Sequence, residues 1–174
     1  MRVMTTHELT IHPGMQDFRA VRMSYAFLLF ASAIWCATLF SVPILAAGDP
    51  WMRRLSGVIR LCFTPICHQA SDRSFHLMGQ SLAVCARCTG IYCGFLVGLL
   101  VHPLRFGTRS PGLPSRRILV IAGLPTVLGI LGNRLGVLPD SNVLRALTGG
   151  LLGVVVAFCV LQTVHDIFPK HSNQ

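Results

Sequence analysis

Met23–Ala47 reads MSYAFLLFASAIWCATLFSVPILAA, 25 residues without a formal charge. A helix of that length exceeds the roughly 30 Å hydrocarbon core of a bilayer and crosses it with some tilt. Arg19 and Arg22 precede the run and Ala46-Ala47-Gly48 follows it, flanks that a cleaved signal peptide shares. The run is much longer than the roughly 7–15 residues of a signal core, so it reads as a retained first span. Residues 1–22 are polar, contain Pro13 and Gly14, and read as a flexible tail, with Met23 an alternative start.

Composition extends this reading to the whole chain. Of 174 residues, 52% are hydrophobic and 12% charged, with a mean hydropathy of +0.61. Soluble domains carry about 25% charge, so this chain has too little to cover a water-facing surface. Three further apolar stretches follow, at about 84–104, 118–133 and 146–164. The expectation is an all-α membrane bundle of about four transmembrane helices spanning residues 23–168, with a polar tail at 169–174.

Between the first two spans, Asp49-Pro50 has the form of an N-cap followed by proline at the first helical position. Trp51, Leu55, Val58, Ile59 and Cys62 then recur at helical spacing, with Arg53, Arg54 and Arg60 off that stripe. This predicts a short amphipathic helix in the membrane interface, Trp51 at headgroup depth, ended by Pro65. Gly90, Gly94 and Gly98 repeat every four residues in the second span, Gly149 and Gly153 do so in the fourth, and Gly132 and Gly136 close the third. Small residues at this spacing let helix backbones approach closely, inside one chain or in an oligomer through Gly90, Gly94 and Gly98.

The net charge of +9 comes from fourteen Arg, one Lys and six acids. The cations are scattered between spans and not gathered on one face, which fits anchoring to membrane lipid and argues against nucleic acid. With four spans, eight cations fall on the side of the termini and seven on the other. The dense linker of Arg105, Arg109, Arg116 and Arg117 tips the balance. Both termini are expected in the cytoplasm of a bacterial inner (plasma) membrane, with the loop between the first two spans outside.

That loop, residues 62–88, carries the chemistry. It reads Cys67-His68-Gln69, then Arg73-Ser74-Phe75-His76, then Cys85-Ala86-Arg87-Cys88-Thr89-Gly90-Ile91-Tyr92. Cys85 and Cys88 bracket two residues at a helix start, where the helix dipole and Arg87 favour thiolate. Cys67 and His68 lie upstream at a sensible distance for the other half of a tetrahedral site. Cys67, His68, Cys85 and Cys88 form a Cys3His set typical of structural zinc or another transition metal. Adjacent ligands are awkward, so His76 or Cys62 are alternates for the fourth position. Gln69 is a candidate to orient a ligating histidine.

Two other readings stay open. In a thiol–disulfide oxidoreductase, Cys85 and Cys88 are the working pair, Cys67 with Cys62 the shuttle and a quinone the electron acceptor. In a lipid-binding or transport module, Arg73 and Arg87 clamp an anionic headgroup while Cys67 pairs with Cys85 or Cys88 as a structural staple. Cys36 and Cys159 sit in apolar runs and read as small hydrophobes. There is no Gly-rich phosphate loop, no Ser/His/Asp constellation and no paired carboxylates. Intramembrane acids are absent, which argues against a transporter that relies on them.

The Cys-His-Gln start, the Arg-Ser-Phe after it and the Cys-x-Arg-Cys-x-Gly-x-Tyr entering a glycine-rich span resemble the domain of unknown function 2085 family, small prokaryotic membrane proteins. A weaker match runs through Asn142, Arg145, Thr148 and Gly149. Gly129, Ile130 and Asn133 stand where such proteins often carry an Asp-Gly pair and a Gln. The resemblance implies a multispan membrane fold and supplies no activity.

Overall fold

A computed structural model describes residues 13–106, 116–137 and 141–167. Among them are five helices: α1 (Pro13–Ala46), α2 (Pro50–Phe63), α3 (Ala86–Phe106), α4 (Arg116–Arg134) and α5 (Asn142–Ile167). The tails at 1–12 and 168–174 and most of the linker after α3 lie outside the described residues. The helix of the first span already begins at Pro13, so residues 13–22 continue it instead of forming a tail.

Among the described residues, two segments are long and apolar enough to cross a membrane, Arg19–Ala46 in α1 and Asn142–Val164 in α5. The apolar part of α4, Val120–Gly132, is shorter. Many large side chains point outward with no protein neighbour to cover them, among them Phe27 at 72% exposure and Ile121 at 66%. Leaving such a continuous apolar surface in water is unfavourable, whereas lipid accepts it.

The centre of the fold is the seam between α3 and α5. A Cβ built on Gly90 would fall inside the Ala146 carbonyl, and one on Gly94 inside that of Gly150. At Gly98 it would come within 2.7 Å of the Ala157 Cβ. From the other side, Gly149 is pressed on the Arg87 carbonyl and Gly153 on that of Ile91. The partners rise in the same order along both helices, so α3 and α5 run parallel. The glycine face of α3 is therefore covered by α5 within the chain.

Helix α1 runs antiparallel to α3. Its early Tyr25 donates its hydroxyl to the Leu99 carbonyl at 2.8 Å, while its late residues Leu39 and Val42 pack with Val84 just ahead of α3. Helix α4 reaches α5 through the Thr126 hydroxyl, which donates to the Thr148 carbonyl at 3.3 Å.

Asp49 and Pro50 start α2 as the sequence predicts, although the Asp49 side chain makes no capping bond. The face of α2 turned inward is Ser56, Ile59 and Phe63, and the Ser56 hydroxyl donates to the Val42 carbonyl at 3.1 Å. Trp51, Leu55, Val58 and Cys62 face outward. The expected apolar stripe thus splits: Ile59 joins the core and the rest is exposed. Between α2 and α3 the chain makes one 3-10 turn, Ser71–Arg73, and a two-stranded hairpin, β1 (His76–Leu77) and β2 (Gln80–Ser81). Met78 and Gly79 both have positive φ, 53° and 75°, the two-residue turn whose twist suits a hairpin. This small sheet is the departure from an all-helical chain.

Candidate metal centre

Three cysteines from two segments meet at the end of the bundle where α3 begins. The Sγ atoms of Cys67, Cys85 and Cys88 all lie within 4.8 Å of one another. Bonds of about 2.3 Å to one zinc ion would set such sulfurs roughly 3.7–4.0 Å apart, a small closing movement. Cys67 is buried, and Cys85 and Cys88 are half-buried. Leu39, Val42, Phe63, Ala83 and Val84 form the surrounding core, with Tyr92 against it. Trp35, itself partly exposed, packs beside this core, its ring edge-on to Phe63 at 4.9 Å and to Tyr92 at 5.7 Å.

Local backbone geometry explains the convergence. Past α2, the Cys67 N–H donates to the Phe63 carbonyl at 3.0 Å. Gln69, at φ 51°, then turns the chain back. That turn aims the Gln69 N–H at the Cys67 sulfur, 3.5 Å away, and the Cys85 N–H reaches the same sulfur at 3.3 Å. Two backbone N–H groups from separate segments thus converge on one sulfur.

Cys85 is the N-cap of α3, since its carbonyl accepts the Thr89 N–H at 2.9 Å. The spacing of two residues therefore places Cys85 at the N-cap and Cys88 at the third helical position. An N-cap side chain ordinarily accepts N–H groups of the first turn, and here the acceptor is sulfur. The Cys88 thiol donating to Cys85 is the largest influence on it. With the N–H groups of Cys88 and Arg87 and the Cys67 thiol, it outweighs burial and pulls the Cys85 thiol down to about 5. The same contact and burial push the Cys88 thiol the other way, so Cys85 is the sulfur of the pair that favours the thiolate.

Arg60 and Gln69 hold the loop over this point. The Arg60 guanidinium donates to the Leu82 carbonyl at 3.5 Å, to the Ser81 hydroxyl at 3.1 Å and to the Ser81 carbonyl. The Gln69 side chain donates to the Arg60 carbonyl at 2.6 Å, a pinning role and not the orientation of a histidine. On the far side the Asn142 side chain, at the start of α5, donates to the carbonyl of buried Ser74 at 3.2 Å and accepts from Arg145 at 3.3 Å. These bonds give Asn142 and Arg145 a reason to stand where they do.

The remaining candidates stand apart from the three sulfurs. His68 is exposed beside Cys67, Cys62 is exposed on α2, and exposed His76 shares a 3.1 Å hydrogen bond with Ser71. Arg73 is exposed and paired with Asp72 at 3.4 Å. Arg87 is half-buried, and its Nε is enclosed without a hydrogen-bond partner. Sequence reasoning missed Arg60 as the clamp. An arginine off the apolar stripe, in the last turn of the helix before the loop, was the one signal for it.

Comparison with known proteins places the chain among predicted membrane proteins. A family described as "Predicted membrane protein (DUF2085)" matches residues 67–159, from the first cysteine of the site into α5. An uncharacterized protein of Methanocaldococcus jannaschii is 32% identical over 145 residues, 83% of this chain and 92% of its own length. One from Methanothermobacter thermautotrophicus is 35% identical over 99 residues, 55% of this chain and 84% of its own. No solved structure matches.

Proposed function

The chain belongs to the DUF2085 family of predicted membrane proteins, and we propose that within it Cys67, Cys85 and Cys88 bind a transition metal, zinc foremost, at the membrane surface. The observation that carries this is the meeting of three sulfurs from two separate segments within 4.8 Å. Thiolates are the donors that zinc and softer ions select. The fourth position falls to water or an exogenous donor, with His68, His76 and Cys62 as protein alternates. The metal fixes the Cys-loop to the start of α3.

The site sits on a bundle of four crossings in this reading. Parallel α3 and α5 require the chain between them to return across the bilayer. The 19 residues of α4 extend about 28 Å, close to the hydrocarbon thickness. The exposed Trp51 and Val58 support α2 lying in the interface. The termini are cytoplasmic and the metal centre faces outward, in a prokaryotic inner membrane. To test the ligand set, metal-free protein in detergent is titrated with zinc against a chelator indicator. Cys85→Ser and Cys88→Ser should each weaken binding by at least tenfold, and unchanged affinity in both would overturn the assignment.

One observation favours a second reading. A Cys85 thiolate beside a Cys88 thiol at a helix start is also the arrangement of a thiol–disulfide oxidoreductase, with a membrane quinone taking the two electrons. A Cys88→Ser variant would then trap a mixed disulfide between Cys85 and its substrate; if none accumulates, this reading fails.

A further inference from the structure

The number of sulfurs at the mouth, and what surrounds them, narrows the ligand they suit. Among the described residues, Cys67, Cys85 and Cys88 are the one group of three or more Cys, His, Asp or Glu side chains whose ligand atoms lie within 4.8 Å of one another. No fourth such atom joins them. His68 and Cys62 are exposed, and exposed His76 is hydrogen-bonded to Ser71. The triangle is held from two segments. Cys67 comes from the loop after α2 and the other two from the start of α3, and the backbone N–H groups of Gln69 and Cys85 both reach the Cys67 sulfur, at 3.5 and 3.3 Å.

Three like donors on an apolar floor set two conditions. The first is coordination number: a structural zinc site is closed by four protein donors, and here the protein brings three. The second is charge. A divalent ion on three thiolates keeps one negative charge, and the sulfurs stand among Leu39, Val42, Phe63, Ala83 and Val84, where an uncompensated charge is costly. Arsenic(III) and antimony(III) meet both conditions. Each is soft and selects sulfur, bonds three ligands in a pyramid with a lone pair in the fourth direction, and is neutral on three thiolates.

We propose that the triangle of Cys67, Cys85 and Cys88 is a receptor for trivalent, three-coordinate thiophilic oxyacids of the arsenite or antimonite type. This deepens the metal-centre reading and rests on its assignment of the three sulfurs as one ligand set. Arsenite enters as its neutral trihydroxide. Three As–O bonds break and three As–S bonds form, each thiol proton leaves with a hydroxide as water, and arsenic stays trivalent. Nothing is oxidised and no charge is brought into the site.

The test uses the reduced full-length protein in mild detergent, titrated with sodium arsenite, and in parallel with zinc. Arsenic retained after gel filtration is counted, and X-ray absorption at the arsenic edge counts its sulfur neighbours. One arsenic per chain with three sulfur neighbours is expected, and arsenite should release zinc from the zinc-loaded protein. Cys85→Ser and Cys88→Ser should each weaken arsenite binding by roughly tenfold or more and lower the sulfur count to two. Cys67→Ser should do the same, and if this buried position does not tolerate serine, as judged by circular dichroism, the other two variants decide. Zinc binding without arsenite binding overturns this inference and leaves the zinc reading standing. Arsenite bound through three sulfurs by a protein that takes no zinc supports the inference and sinks the zinc reading. Arsenic bound equally well by the cysteine variants, or bound while zinc stays in place, overturns it.

Discussion

Replacing Gly94 with alanine should separate the two central helices, and replacing Gly150, which faces it, should not. An ideal Cβ on Gly94 would stand 2.7 Å from the Gly150 Cα and closer still to its carbonyl. Carbon pairs rest at about 3.5–4.0 Å, so the backbones must part by roughly 0.8 Å or more. A gap of about that size forfeits a quarter to a half of the dispersion well for each pair it opens. The expected loss is about 1–3 kcal/mol, the usual cost of overpacking. A Cβ on Gly150 meets only the Gly90 carbonyl at 3.6 Å, an ordinary contact. There alanine should be neutral, or stabilising by up to about 1 kcal/mol through its better helix propensity. Reversible unfolding in mixed SDS and mild-detergent micelles, followed by circular dichroism, measures both. Equal effects at the two positions would refute the parallel, glycine-mediated seam.

Two further outcomes concern the loop. Arg60→Gln removes the clamp on Ser81 and Leu82; it should cost about 1–3 kcal/mol of local stability, seen as faster amide exchange over residues 76–85 with the α3–α5 seam unchanged. Gly79→Val forces a β-branched residue into a left-handed conformation, at about 1–3 kcal/mol, whereas Met78→Gly should hold or tighten the hairpin; exchange rates of the Leu77 and Gln80 amides tell them apart.

What could be read from the sequence depended on whether local chemistry alone decided it. The charge-free run at 23–47 predicts a helix because nothing in it prefers water, and Gly90-Gly94-Gly98 predicts close packing because the spacing is itself the contact surface. Asp49-Pro50 marks a helix start by the same local logic. Cys67, Cys85 and Cys88 stood out because two thiols at the N-cap and third helical position must lie together. The turn beside His68 was not legible: the left-handed Gln69 that reverses the chain there is one rotation angle. The same holds for the hairpin, whose Met78-Gly79 turn lacks the usual Asn or Asp. Which side of α2 faces inward depends on α1, through the Ser56 bond to Val42. The Trp35–Tyr92 ring contact joins residues far apart in sequence, and only the pairing of α1 with α3 brings them together. Lipid further obscures the α2 pattern, since an apolar stripe on a membrane protein does not distinguish core from bilayer.

A metal held by three thiolates at the mouth of the bundle is read out by metal content and free thiols measured on one sample, purified in mild detergent without chelator or reductant. About one zinc or other transition-metal ion per chain is expected, with Cys67, Cys85 and Cys88 resistant to alkylation until a chelator removes the metal. A metal-free protein whose three thiols alkylate at once, or are already joined in a disulfide, would contradict it.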